Sequence, residues 1–366
     1  MRTKKLEFCT MIVFMMFSAF LGTGAETCLR IAGIDYWMVP IVGTIIGIPI
    51  VLMYAYIFNN LGDKDINALN EELFGKKFGK FINIIILLFV ISFNLITFWN
   101  MTSFVSSQYL YNTPIWFVNL LFIVPAIYLI IKGPRIMFRS VLMLFYIAII
   151  LYIISALGLG TQVKLTNIQP ILADGFAPVL KAVYNYISYM IFPIFFILII
   201  PKNEIDGKNM KKSILITYFI TSILIFIIMF FVVGVFGIEL TTLYQYPSYH
   251  ILKRVFIGGF IERMENTLSI QWIIVLFIST LFTHYYTTRS LKDIFSMNDK
   301  FIIVIVVIIM YLSQYIFKNN TFSEMFLTKY YPIALGIFLF LIPLIITIRL
   351  FYKKKIQKVS LKKIED

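Results

Sequence analysis

A chain of 366 residues that is 60% hydrophobic and only 14% charged is not an ordinary soluble domain, where about a quarter of residues are charged. Its net charge of +14 would suit nucleic acid, but the Lys and Arg residues lie in short loops and in the tail rather than on one face, which excludes a nucleic-acid partner. Two cysteines and two histidines offer neither a disulfide framework nor metal-ligand spacing, so no metal and no cofactor is expected.

A membrane span needs roughly 20 apolar residues. Ten stretches qualify: 8–31, 37–59, 80–109, 114–131, 138–157, 177–200, 212–236, 269–288, 300–317 and 331–351. The fold class is therefore an all-α integral membrane protein with one permease-like domain over 1–366. The first run follows "MRTKK" but is long and lacks a small-residue cleavage site, so it reads as a retained helix and not a signal peptide. The longest pieces between spans are 60–79, 158–176 and 237–268. The first holds "NALNEELFGKKFGKF", which predicts a short amphipathic surface helix. Residues 353–366 form a basic tail, expected to anchor on the inner face and attract anionic membrane lipid.

With the N-terminus inside, alternation places 24 of the 32 Lys and Arg residues on the inner side. This bias predicts cytoplasmic N- and C-termini. Trp37, Trp116 and Trp272 then fall at outer span ends, as interfacial aromatics.

Ten spans divide as five plus five, and an odd-numbered repeat inserts its second half upside down. Such inverted repeats build their binding site from interrupted helices at equivalent positions, here the first and sixth spans. The first carries Gly22-Thr23-Gly24 in its middle, and the sixth carries Ser188, Tyr189 and Pro193. Glycines two apart lie on different sides of a helix, which suits an unwound turn more than close packing. Glycines four apart suit packing, and Gly43 and Gly47 of the second span are assigned to it.

Ionisable residues at membrane depth are functional candidates by default, and the clearest are Glu26, Lys181 and His284. Glu26 and Lys181 lie on the outer sides of the two interruptions, where they either pair with each other or each reach to the interface. The eighth span reads "STLFTHYYTT", bringing Ser279, Thr280, Thr283 and His284 close together. His284 is read either as a proton carrier or as a hydrogen-bonded core residue. The third span carries Asn94, Trp99, Asn100 and Ser103. Buried polar groups need partners, so spans 1, 3, 6 and 8 are expected to line one central pocket. No catalytic constellation is apparent, and the chain is not read as an enzyme.

The broken first helix at "GTG", the loop "KGPRIMFRS" and the stretch "IQPILADGFAPVLKAVYNYISY" followed by "FPIFFILIIP" carry a family resemblance. Over roughly residues 5–350 the chain resembles the spore germination permeases, the B subunits of nutrient germinant receptors, a branch of the amino acid–polyamine–organocation transporter superfamily. The resemblance implies a spore inner membrane location and a multi-span A subunit and lipoprotein C subunit as partners. It implies a small nutrient ligand, often an amino acid. Carried over by position, it implies ligand contacts at Gly22, Thr23, Gly24, Asn100, Ser188, Tyr189, Ile194 and Thr283. Many members carry an acid near the sixth-helix break, and Tyr189–Pro193 has none. The alternative function is an ion-coupled amino acid permease, with Ser279 and Thr280 placed to meet sodium.

Overall fold

The computed structural model describes residues 3–244, 246–255, 265–317 and 320–365. It is almost entirely helical. A two-residue strand β1 (Thr3–Lys4) precedes α1 (Lys5–Ala19), a π-helical turn (Phe20–Gly24) and α2 (Ala25–Ala32). Then come α3 (Val39–Asn59), α4 (Ile66–Phe74), α5 (Lys76–Gln108), α6 (Ile115–Lys132) and α7 (Pro134–Gly160). The sixth predicted span is α8 (Ala177–Tyr186), a π turn (Ile187–Ile191) and a 3-10 stretch (Phe192–Ile199), followed by strand β2 (Ile205–Asp206). The remainder is α9 (Met210–Leu243), α10 (Pro247–His250), α11 (Glu265–Leu268), α12 (Ile270–Phe295), α13 (Asp299–Ile316), α14 (Asn320–Met325) and α15 (Tyr331–Glu365), with a third π turn (Phe326–Tyr330) before α15.

Nine helical stretches among the described residues are long and apolar enough to cross a membrane, with Ala25–Asn59 as one of them. The chain is a multi-pass membrane protein. Segments differ sharply in enclosure. In an 18-residue window of Ala177–Ile199, 89% of the residues are buried, against 28% in Ile115–Lys132 and in Asp299–Ile316. A helix that is apolar all round is covered by protein or by lipid. α1 is of this kind: Phe8, Met11, Ile12, Met15 and Met16 are fully buried among α7, α9, α12 and the Phe192–Ile199 stretch. The interrupted segments therefore sit at the centre, and α6, α7 and α13 face lipid.

β1 pairs in parallel with β2, Thr3 opposite Ile205 and Lys4 opposite Asp206. This puts the start of the first span and the end of the sixth on one side of the membrane, so an even number of crossings separates them. On that side Arg289, at the end of α12, reaches Asp65 at 3.3 Å and Glu204 at 3.8 Å.

Several expectations needed correction. The helix in 60–79 is present as α4, with Ala68 and Glu72 exposed on one side, but it ends at Phe74 and α5 begins at Lys76; side-chain hydrogen bonds tie the two, Asn70 donating to Asn83 at 2.8 Å and Asn83 to the Asn67 carbonyl at 3.0 Å. α9 continues past residue 236 through a bend at Gly237, whose φ is 71°. α12 and α15 also outrun their apolar stretches, and α15 carries the basic tail as helix. Hydrophobicity marks where the bilayer ends, whereas a helix goes on satisfying its own backbone beyond it. Trp272 is not interfacial: it is 4% exposed and packs on Phe104 and Tyr246.

Candidate functional site

The interruption in the first span is a π turn and not an unwound one. Gly24 has φ −64° and ψ −37°, ordinary helical values. An unwound turn at membrane depth would leave backbone groups without water to satisfy them. A π turn inserts one extra residue while the chain stays helical, and such turns are common at functional sites.

The sixth span carries its own π turn at Ile187–Ile191, and the two turns touch. A Cβ on Gly24 would stand 2.6 Å from the Tyr189 Cβ and 2.9 Å from the Phe20 ring. The approach is closer than any side chain at position 24 allows. Gly43 and Gly47 of α3 provide the same closeness on the opposite flank: a Cβ there would meet the Tyr186 ring at 2.4 Å and the Ile191 side chain at 2.1 Å. The packing reading of these two glycines agrees with these contacts.

One polar side chain of a neighbouring helix reaches the first π turn, and others join α5, α12 and α1 nearby. Asn100 of α5 donates to the Thr23 hydroxyl at 3.2 Å. Ser279 of α12 lies 3.6 Å from the Met15 sulfur of α1. Asn94 of α5 donates to the Thr287 hydroxyl at 2.8 Å and to the Thr283 carbonyl at 3.4 Å. The Thr283 hydroxyl turns back to its own helix, donating to the Ser279 carbonyl at 2.9 Å. Thr23, Asn94, Asn100, Ser279 and Thr283 are all buried.

Other candidates lie apart from this contact. Ser188 donates to the Tyr184 carbonyl at 2.9 Å and faces the Pro332 carbonyl at 3.4 Å. Ile194 is buried in the 3-10 stretch. His284 and Thr280 are four apart on a second face of α12, about 100° round from the Ser279–Thr283 face. The His284 ring lies 6.5 Å from the Phe98 ring. Neither ring nitrogen has a hydrogen-bond partner among the described residues, and neither does the Thr280 hydroxyl. Gly22 belongs to the first π turn. Glu26 does not reach Lys181 in an ion pair: it pairs with Arg30 of its own helix at 2.9 Å, and Lys181 is exposed.

One part of the junction had no counterpart in the sequence reading. The third π turn, Phe326–Tyr330, backs the second: the Tyr189 hydroxyl donates to the Leu327 carbonyl, and the Tyr189 and Tyr331 rings lie 6.2 Å apart. Tyr184 donates to the Pro332 carbonyl at 2.7 Å.

The arrangement is a junction of interrupted helices lined by neutral donors and acceptors, with the polar groups of α5 and α12 beside it. It can bind a small polar molecule by hydrogen bonds if the two turns part. Among the described residues it offers no nucleophile–base pair.

Comparisons with known proteins agree with the architecture. In solved structures the chain resembles the Eremococcus coleocola manganese transporter bound to an aromatic bis-isothiourea compound, with a TM-score of 0.64 at 10% identity over 92% of this chain and 75% of that one. A mutant of the same transporter aligns with a TM-score of 0.63 at 11% identity. Among curated proteins, Spore germination protein KB of Bacillus subtilis (strain 168) is 24% identical over 296 residues, 79% of this chain and 77% of its own length. Spore germination protein YndE of the same organism is 24% identical over 263 residues, 71% and 72% of the two chains. Spore germination protein A2 is 24% identical over 290 residues, 78% of each. The model of the family described as spore germination protein matches residues 7–323. The chain belongs to the spore germination permease family.

Proposed function

We infer that this chain is the nutrient-sensing subunit of a spore germination receptor, built on a transporter fold within the spore inner membrane. One observation carries the reading: the π turns of the first and sixth spans meet at Gly24 and Tyr189, with Thr23 held by Asn100 beside them. Interrupted helices at equivalent positions are where inverted-repeat transporters bind their ligands. The reading takes the chain as ten spans in a five-plus-five repeat with both termini cytoplasmic. The ligand is a small nutrient, an amino acid by family analogy, contacting the first π turn, Asn100, the Ser188–Ile194 segment and Thr283. The names of the curated relatives support germination as the process, and the A and C subunits are the expected partners.

The second reading is an ion-coupled amino acid permease. It rests on the transporter fold and on the buried hydroxyls of Ser279, which lies 3.6 Å from the Met15 sulfur of the first span, and Thr280. Fold alone does not separate sensing from transport. Deletion of the gene separates them. A sensor predicts spores that fail on one nutrient while growing cells still take up that nutrient at the normal rate. Normal germination on every nutrient, with uptake lost, overturns the sensor reading.

A further inference from the structure

Away from the junction lies a cavity of about 80 Å³. Its floor is α1 and α12, through Phe14, Phe17 and Trp272, all at least nine-tenths buried. Leu21, inside the first π turn, forms part of the same wall. Its sides are half-buried residues of α7 and α9, among them Phe145, Ile149, Leu224 and Ile228. Ser248, Ile251 and Leu252 close one end.

Two features decide what belongs there. First, the volume is several times the roughly 10–15 Å³ that one water requires, yet among the described residues no polar side chain around it lacks a partner. Tyr152 donates to the Leu224 carbonyl at 2.8 Å, Gln271 to the Ser155 hydroxyl at 3.1 Å, Ser155 to the Leu151 carbonyl at 2.7 Å, and Trp272 to the Ser248 hydroxyl at 3.3 Å. A zwitterion or an ion entering this space would lose its hydration and gain no donor or acceptor. The occupant is therefore apolar. Second, the residues flanking the half-buried sides are exposed aliphatics: Ile150 and Ile153 on α7, Ile220 and Ile223 on α9. Both helices are membrane spans, so the mouth between them opens onto hydrocarbon.

We propose that this groove is a lateral binding site for one acyl chain of a membrane lipid, inserted between α7 and α9 until it rests on α1 beside the first π turn. The occupant is fixed by the medium at the mouth, where acyl chains are the solvent. The site is independent of the nutrient reading. Because Leu21 is part of the wall, a chain in the groove bears directly on the turn that meets Tyr189.

The test uses the full chain in nanodiscs of phosphatidylcholine doped with a phosphatidylcholine carrying a diazirine on one acyl chain. After irradiation, adducts are mapped by proteolysis and mass spectrometry. Adducts are expected on the floor residues Phe14, Phe17 or Trp272, which a lipid lying against the outer surface does not reach. Ala148→Phe and Ala156→Phe fill the groove and should lower floor adducts at least fivefold. Met143→Phe, on the exposed side of α7 away from the groove, should leave them unchanged. Adducts confined to exposed positions such as Ile150 and Ile223 overturn the proposal. So do floor adducts that persist undiminished in both filling variants, each shown to be monodisperse. If the filling variants fail to fold, the adduct map of the unaltered chain decides alone.

Discussion

Gly24 and Tyr189 approach so closely that a Cβ on the glycine would lie 2.6 Å from the Cβ of the tyrosine. The two residues are 165 positions apart, each inside a π turn, and their contact is the seam between the interrupted helices. Backbone and Cβ atoms cannot swing aside as a flexible chain end can. Gly24→Ala should therefore destabilise the purified protein by about 1–3 kcal/mol, the usual result of overpacking a close-packed site. Gly33→Ala is a useful contrast: nothing lies within 4 Å of that Cβ, and the strain there comes from its φ of +57°. Thermal unfolding in detergent checks both, and the added effect of Gly24→Ala should shrink when it is measured against Tyr189→Gly alone, which removes the Cβ it meets.

The Thr23–Asn100 hydrogen bond, 3.2 Å long, ties α5 to the first π turn. Interhelical bonds in membranes contribute about 0.6 kcal/mol on average and up to ~1.7. Thr23→Val and Asn100→Leu should each weaken the nutrient response, and the double variant should be no worse than the more damaging single one. A dose–response curve of spore germination for the four genotypes measures this. Strict additivity of the two defects would show that the bond does not couple the helices.

Glu26 and Arg30 form an exposed pair four residues apart, with side chains 29% and 50% exposed. Such pairs are worth between zero and about 1 kcal/mol. Glu26→Gln should leave stability nearly unchanged. The charge exchange Glu26→Lys with Lys181→Glu should show no mutual rescue, since Lys181 is not the partner. Recovery in the double variant, measured as germination rate, would place the two in contact in a state other than this one.

The basic tail is held to α4. Lys353 of α15 pairs with Glu72, which also pairs with Lys64 at 3.0 Å. The Lys353 hydrogen bond first, and then Lys64, hold the Glu72 carboxyl below the usual carboxylate value. A carboxylate with a lowered folded-state pKa contributes stability above its ordinary value and loses it as pH falls through the lowered one. Tail docking should therefore persist at neutral pH and weaken under acid. Glu72→Gln should reproduce the acid effect at neutral pH, read as faster hydrogen exchange in residues 353–356.

Much of this fold is readable without coordinates, for a physical reason. Backbone groups in hydrocarbon must be satisfied within the segment, so apolar length reports helices directly. The same argument flags Thr23, Asn94 and Asn100, because a polar side chain in the membrane needs a neighbour. Legibility stops where partners are chosen in three dimensions. In sequence Glu26 either pairs with Lys181 or reaches to the interface, and the structure instead gives it Arg30, four residues on in its own helix. The π turn at Phe326–Tyr330 has no composition of its own and is imposed by Tyr189 packing against it. The two-glycine signal reads in sequence as an unwound turn rather than close packing, and the structure gives a π turn, which keeps its backbone bonds in a dry environment.

The central claim is that nutrient is sensed at the seam of the two π turns. Its most direct measurement is germination of spores whose own copy is deleted and replaced by the Gly24→Leu variant, with membrane levels matched by immunoblot to a wild-type replacement. The account predicts that these spores lose the response to the nutrient that the deletion also loses, at least tenfold in rate, and respond normally to the others. A full wild-type response to every nutrient from the Gly24→Leu spores would contradict it.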